Sequence, residues 1–230
     1  MNNKFAVIGL GMFGNSIART LAKRGAEVLA IDIDIDKVEQ LKDEVAYAVA
    51  LDATDLRALK SQNIEDVDAV VVAIGENFEG LLLTTVLLQE LKVKRIIVRA
   101  ANAQQRMILT KMGIEEMLSP EDTVGVSVAE MLLHPNMKSF LSLGDNYEIV
   151  ELKTPKRITN QSIKEVQLRE KYNLNLITIK REFEEKVDGE MQKRQHVIGV
   201  PTGDTILQES DVIILLGRKD SVDKFIEVNK

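Results

Sequence analysis

The chain has 230 residues, of which 45% are hydrophobic and 29% charged, enough for two modest domains that each bury a core. It has no cysteine, which excludes a disulfide framework, a thiolate zinc site and a cysteine nucleophile, and only two histidines, His134 and His196, which argues against a histidine-rich metal site. With 30 basic and 36 acidic residues, a net charge of −6 and no basic block, it is a poor candidate for nucleic acid or anionic lipid; its longest apolar runs fall far short of the ~20 residues of a membrane span, which predicts a soluble, cytosolic protein.

The first 140 residues alternate short apolar runs with amphipathic ones. Residues 4–9 predict a buried strand and 13–24 a helix, with Gly25 at its C′ position. A second strand covers 27–32, followed by a helix over 35–43 with Ile35, Val38 and Leu41 inward. The third strand is 47–51, after which Asp55 caps a short helix reaching Gln62. Residues 69–73 are continuous in Ala and Val, as suits a strand covered on both faces. A long helix over 77–91, a strand over 95–99, a helix over 103–112 closed by Gly113 and a short strand over 116–118 complete the series. About six strands interleaved with helices predict an α/β fold with a doubly wound parallel sheet.

Beyond Pro120 the pattern predicts a helix over 122–133, stopped by Pro135, and a crossover through 134–144. From Tyr147 it changes to a strand (147–152), a helix (162–171), a strand (174–180), an apolar run (212–216) and a closing helix (221–228), a small α+β unit. The turns Gly203-Asp204 and Ser210-Asp211 precede apolar runs. Residues 182–194 hold five acids and three bases around Asp188-Gly189 and read as a solvated hairpin tip. The expected boundaries are 1–120 for the sheet domain, 121–144 for crossover and dimerisation helices, and 145–230 for the α+β unit.

Gly9-Leu10-Gly11-Met12-Phe13-Gly14 is a G-x-G-x-x-G that follows a strand and opens a helix. The first glycine allows the tight turn, the second lets backbone approach a pyrophosphate, and the third lets helix and strand pack closely. The helix N-terminus offers free N–H groups and a positive dipole end to phosphates. Asp32 ends the second strand, where a carboxylate can accept hydrogen bonds from ribose hydroxyls. This is a Rossmann-like fingerprint, and it favours NAD or an adenosine phosphate over NADP. Asp32, Asp34 and Asp36 alternate, but Lys37 and Asp43 occupy the sixth and twelfth places of a calcium loop, so Asp34 reads as a helix cap. Leu51-Asp52-Ala53-Thr54 after the third strand, and Ala73-Ile74-Gly75-Glu76 after the fourth, point at the same crevice. There Asp52 reaches an adenine amino group or caps a helix, and the small residues leave room for the ring. Arg99, ending the fifth strand, is a cation for phosphate. Neither histidine lies at this edge and the second unit offers no catalytic constellation, so the chain reads as a binding module and not an enzyme. An NAD-dependent oxidoreductase or an NADH redox sensor is the alternative.

Taken in order, G-L-G-x-F-G, I-D-I-D, D-A-T, A-I-G, and S-P-E at 119–121 resemble the RCK (KTN) nucleotide-binding family. The Leu168-Arg169-Glu170-Lys171-Tyr172 stretch and residues 199–216 resemble its attached C-terminal domain, so that the likeness is to TrkA-N plus TrkA-C regulatory subunits of Ktr/Trk-type potassium uptake systems, KtrA-type members above all. The resemblance implies a nucleotide-binding gating subunit, cytoplasmic and peripheral to the inner face of the membrane, that forms dimers and an octameric ring beneath an integral membrane potassium-translocating subunit. It implies that Gly9, Leu10, Gly11, Met12, Phe13 and Gly14 hold phosphates. Asp32 and Ile33, with Asp34 and Lys37 beside them, take ribose and adenine, and Asp52, Ala53 and Thr54 close that side. Ala73, Ile74, Gly75 and Arg99 line the cleft. Glu121 stands near the nucleotide and a divalent or monovalent cation at the dimer interface. KtrA-type members similar to this chain carry arginine at the position of Met12, reaching toward terminal phosphates; its replacement turns the expectation from ATP toward ADP, AMP or NAD(H). Ile163, Arg169, Asn175 and Pro201 match a cyclic di-AMP site, from which Lys164 departs.

Overall fold

Residues 3–187 and 190–229 are described by the computed structural model, and they fall into two units, Met1–Thr123 and Val124–Lys230. In the first, β1 (Lys4–Ile8), β2 (Glu27–Asp32), β3 (Tyr47–Ala50), β4 (Ala69–Val72), β5 (Ile96–Arg99) and β6 (Glu116–Leu118) form one sheet in the order β3-β2-β1-β4-β5-β6. Every pair in it is parallel. Parallel strands need crossovers, supplied here by α1 (Met12–Lys23), α2 (Ile35–Glu39), α3 (Leu56–Ser61), α4 (Phe78–Glu90) and α5 (Ala103–Lys111). Helices on both faces require strands that are apolar on both sides. Ile8, Ile31, Val70 and Val72 accordingly join Leu59, Leu81 and Leu88 in one core, while Val7, Ala30 and Val71 join Ala18, Val38 and Leu41 in another. The chain leaves β1 toward β2 on one side, and β4 flanks β1 on the other. Such a reversal of strand order opens a crevice at the carboxyl ends of the strands.

Asp34, Asp55, Asn77 and Asn102 each accept a backbone N–H in the first turn of the helix they precede. The second helix ends at Glu39, not 43, and Ile35 is 55% exposed instead of inward; in a helix this short the first residue faces solvent, and Leu41 is buried from the turn that follows.

In the second unit α6 (Pro120–Leu133) leads to β7 (Met137–Gly144), β8 (Tyr147–Lys153), α7 (Ile163–Val166), α8 (Leu168–Tyr172), β9 (Asn175–Val187), β10 (Glu190–Val197), β11 (Val212–Arg218) and α9 (Lys219–Val228). The strands form an antiparallel sheet in the order β10-β9-β11-β8-β7. Three expectations are corrected. Residues 134–144 are not a plain crossover, because 137–144 form the edge strand β7, joined to β8 by Asp145-Asn146. Both of those residues have positive φ, the conformation a two-residue hairpin turn demands. The helix expected over 162–171 breaks at Gln167, which sits in the left-handed region. A continuous helix cannot point residues two apart the same way, and the break lets Val166 and Leu168 both enter the core. The charged stretch 182–194 is chiefly the arms of the β9–β10 hairpin; Asp188-Gly189 lies outside the described residues. Among the described residues no helix is long and apolar enough to cross a membrane.

Among its described residues two charged groups sit inside this unit. Asp211, fully buried, accepts from Arg181 Nε (2.8 Å) and Nη2 (2.7 Å) and from the Gln208 N–H (2.8 Å), which is more than the turn role its sequence suggests. That pairing holds the Arg181 guanidinium above its ordinary pKa. Glu148 on β8 is buried beside Lys219, which pairs with Glu130, while His134 Nε2 lies 3.5 Å from Asp223. Burial raises the Glu148 carboxyl above its usual pKa, and Lys219 offsets this only in part. A carboxyl with a raised folded-state pKa contributes stability at low pH that is lost as pH rises through that value. Glu148→Gln is therefore expected to raise the unfolding midpoint of this unit by a few degrees at pH 7, with the gain shrinking toward pH 4, in thermal melts across that range.

Candidate functional site

The crevice begins where β1 ends. Gly9 turns the chain at φ +93° with its N–H on the Ile31 carbonyl (2.8 Å), and a Cβ there would stand 2.8 Å from the Ile74 backbone nitrogen. A Cβ on Gly14 would overlap the Gly9 carbonyl oxygen, so the first and third glycines are demanded by the protein's own backbone. Gly11 differs: a Cβ there meets nothing within 4 Å. What its missing side chain keeps clear is open cleft. The helix behind it starts with Gly11 as an N-cap that offers no side-chain bond, and its first turn contains no acid, so the N-terminal N–H groups of α1 are left unclaimed by local side chains.

Asp32 is 7% exposed. Its Oδ2 accepts the Leu10 N–H (2.6 Å) and its Oδ1 the Asp34 N–H (2.9 Å), with Lys37 Nζ 3.8 Å away. Two of roughly four acceptor positions are thus used, and the carboxylate is locked in place with the rest free. Asp52 is drawn into its own turn: Oδ1 accepts from Thr54 Oγ1 (2.7 Å) and the Thr54 N–H (2.9 Å), which hold the carboxyl below its usual pKa.

On the far side, Ala73 ties β4 to β1 through its N–H on the Ile8 carbonyl (2.7 Å). Arg99 crosses the mouth of the crevice, its guanidinium filling the space a side chain on Gly75 would need and lying 5.9 Å from the Phe13 ring centroid. It pairs with Glu121, whose carboxyl is held low by its own backbone N–H and by Arg99. Among the described residues no group of three or more His, Asp or Glu side chains is arranged to hold a metal ion.

These elements enclose a cleft of about 720 Å³. All but three of the residues singled out for the nucleotide site line it. Leu10 is buried behind the loop and contributes its N–H to Asp32, Gly14 lies under the turn, and Asp34 caps α2 by accepting the Asp36 N–H (3.0 Å). Met12 lines the cleft and is 95% exposed. Leu51 and Glu76, which belong to the two strand-end turns singled out from the sequence, also line it; sequence reasoning missed Ile8 and Ile31, the last apolar residues of their strands, and Asn77, Gly80 and Thr84, from α4 and the loop before it. Ile8 and Ile31 were findable from their place beside Gly9 and Asp32; Thr84 carries no motif. In the second unit Arg169 Nε donates to Asn175 Oδ1 (2.6 Å), and the backbone of Ile163 and Lys164 holds the turn after Pro201 through Thr205 (3.1 Å) and Gly203 (2.9 Å).

A parallel sheet in this order, with a glycine turn at the end of β1 and an acid at the end of β2, is a Rossmann-like domain, here followed by an antiparallel α+β unit. The TrkA-N domain matches residues 5–120 and the TrkA-C domain residues 147–229, and the chain belongs to this family. It is 34% identical over 225 residues to Ktr system potassium uptake protein C of Bacillus subtilis (strain 168), covering 98% of this chain and 96% of that one. It is also 34% identical over 224 residues to Ktr system potassium uptake protein A of the same organism, covering 97% and 96%. Among solved structures it is similar to the GsuK channel, with a TM-score of 0.66 at 15% identity over all of this chain and 40% of that one, which shows a shared fold.

Proposed function

We propose that this chain is a nucleotide-binding regulatory subunit of a potassium uptake system, acting at the cytoplasmic face of a membrane-embedded translocating subunit. The observation that carries the binding role is the combination at one cleft of an open phosphate-side glycine, an unclaimed helix N-terminus and a locked, half-satisfied Asp32 carboxylate. The cleft is lined for binding and not for turnover. Its lining contains no histidine, and of its four carboxylates Asp32, Asp52 and Glu121 are engaged by protein donors while Glu76 is not, which supports binding over turnover. A buried acceptor at the ribose favours free hydroxyls, so the ligand is an adenine nucleotide or NAD(H) and not NADP. With methionine in the loop, Arg99 is the guanidinium nearest to hand for phosphate. Regulation follows if the ligand binds two conformations of the assembly with different affinity. Helix α6 suits self-association: none of its residues is buried, and Val124, Val128, Leu132 and Leu133 are exposed.

Calorimetry and thermal shift with ATP, ADP, AMP, NAD, NADH and cyclic di-AMP test this. A ligand at a hundred times its Kd adds about 2.7 kcal/mol to the folded state. Binding of an adenosine-containing ligand is expected, weakened at least tenfold in Asp32→Ala, together with potassium uptake that depends on this protein in cells lacking their own system. Binding of none of the six, or equal binding by Asp32→Ala, would overturn the reading of the cleft; uptake that does not depend on the protein would overturn the regulatory role.

A further inference from the structure

Among the described residues, two buried side-chain polar atoms have no hydrogen-bond partner, Thr84 Oγ1 and Arg99 Nε, and both residues line the same cleft. Leaving such an atom unpaired costs about 1–3 kcal/mol, and folded proteins leave few. Arg99 is otherwise paired through Nη2, whereas Thr84 has a single side-chain polar atom and that atom is idle. The adjacent residue serves as an internal control. Thr85, equally buried, donates its hydroxyl to the Leu81 carbonyl four residues back (2.6 Å), the usual way a threonine inside a helix satisfies itself. Thr84 makes no such bond to Gly80, although that carbonyl stands in the same relation to it.

Gly80 and Thr84 are four apart on α4, hence on one face, and both line the cleft. The strand ends that share this side of the sheet with α4 are apolar: Ile8, Ile31, Ala53 and Ile74. Phosphate has its place at the glycine loop and ribose at Asp32. The part of a nucleotide left for an apolar wall with one hydroxyl in it is the flat base. We propose that Thr84 is a base-reading residue of this cleft, its hydroxyl making a hydrogen bond to a polar edge atom of the bound purine. The proposal rests on the nucleotide reading of the cleft.

The test compares wild type, Thr84→Val and Thr84→Ser, each measured for its unfolding midpoint without ligand and for its Kd toward AMP. Valine has threonine's shape without the hydroxyl. It relieves an unpaired polar group in the empty protein and removes a partner in the bound one, so the two readouts should move in opposite directions. The ligand-free midpoint is expected to stay or rise, and AMP binding to weaken about 3- to 12-fold. Thr84→Ser, which keeps the hydroxyl, should bind within about twofold of wild type. Wild-type protein that binds AMP alongside Thr84→Val that binds it equally well would overturn the proposal and leave the nucleotide reading intact. A lower ligand-free midpoint in Thr84→Val, or a loss of affinity in Thr84→Ser as large as in Thr84→Val, would assign Thr84 to packing. No AMP binding by wild type would remove the proposal together with the reading beneath it.

Discussion

Gly14→Ala is expected to cost the amino-terminal unit roughly 3 kcal/mol or more and to abolish nucleotide binding, whereas Gly11→Ala is expected to leave stability almost unchanged and still weaken the ligand severely. A Cβ on Gly14 would share space with the Gly9 carbonyl oxygen and approach the Ala73 Cβ at 3.1 Å. Gly9 cannot retreat, since it already lies against the backbone of Ala73 and Ile74 in a left-handed conformation. The start of α1 would have to lift off the sheet, which is overpacking at the upper end of its usual cost. At Gly11 an added methyl meets no protein atom and protrudes into the cleft, where a pyrophosphate would need the space. Urea unfolding paired with ADP titration separates the two. Equal stability of Gly14→Ala and wild type would contradict the packing argument, and unimpaired binding by Gly11→Ala would mean that the phosphates lie elsewhere.

The second large effect belongs to the other unit. Arg181→Met should destabilise it by about 3–5 kcal/mol, because the substitution strands the fully buried Asp211 carboxylate with the Gln208 N–H as its remaining donor. It also removes the bond from Arg181 to the Ile206 carbonyl (2.8 Å). Pairing it with Asp211→Asn should recover much of the deficit, since a neutral amide is far cheaper to bury than an unpaired charge. Hydrogen exchange resolved to β9 and β11 reads this directly; unchanged protection there in Arg181→Met would show that the pair contributes nothing.

How much of this was legible in the sequence depended on which physical constraint each residue answers. Residues 69–72 had to be apolar throughout because helices cover both faces of β4, and that leaves an unmistakable run. Gly9 and Gly14 are fixed by backbone clearance within six residues of sequence, so a local motif reveals them. By contrast, β7 lies at a sheet edge with most of its side chains exposed, so its sequence carries no alternation to read; the nearest clue was the Gly-Asp-Asn turn after it. The break at Gln167 answers to the depth of Val166 and Leu168 in a core assembled from distant strands. Thr84 is of the same kind: seven residues into a helix, it reaches the cleft only because α4 packs against β4 and β5, a fact of tertiary structure. Asp211 looked like an ordinary turn acid because its partner is 30 residues away.

The antiparallel sheet has two open borders, and both are defended. Along β10 every side chain is exposed, and Lys193 and Arg194 in mid-strand project to opposite faces, so an incoming strand would meet a positive charge on either face. Along β7 the register with β8 shifts twice, between Met137 and Ser139 and between Ser142 and Gly144, and such irregularities bend an edge away from the flat template that strand addition needs. The unit is thereby guarded against sheet-to-sheet polymerisation, so that crowding many copies together does not by itself turn its edges into a template for strand addition.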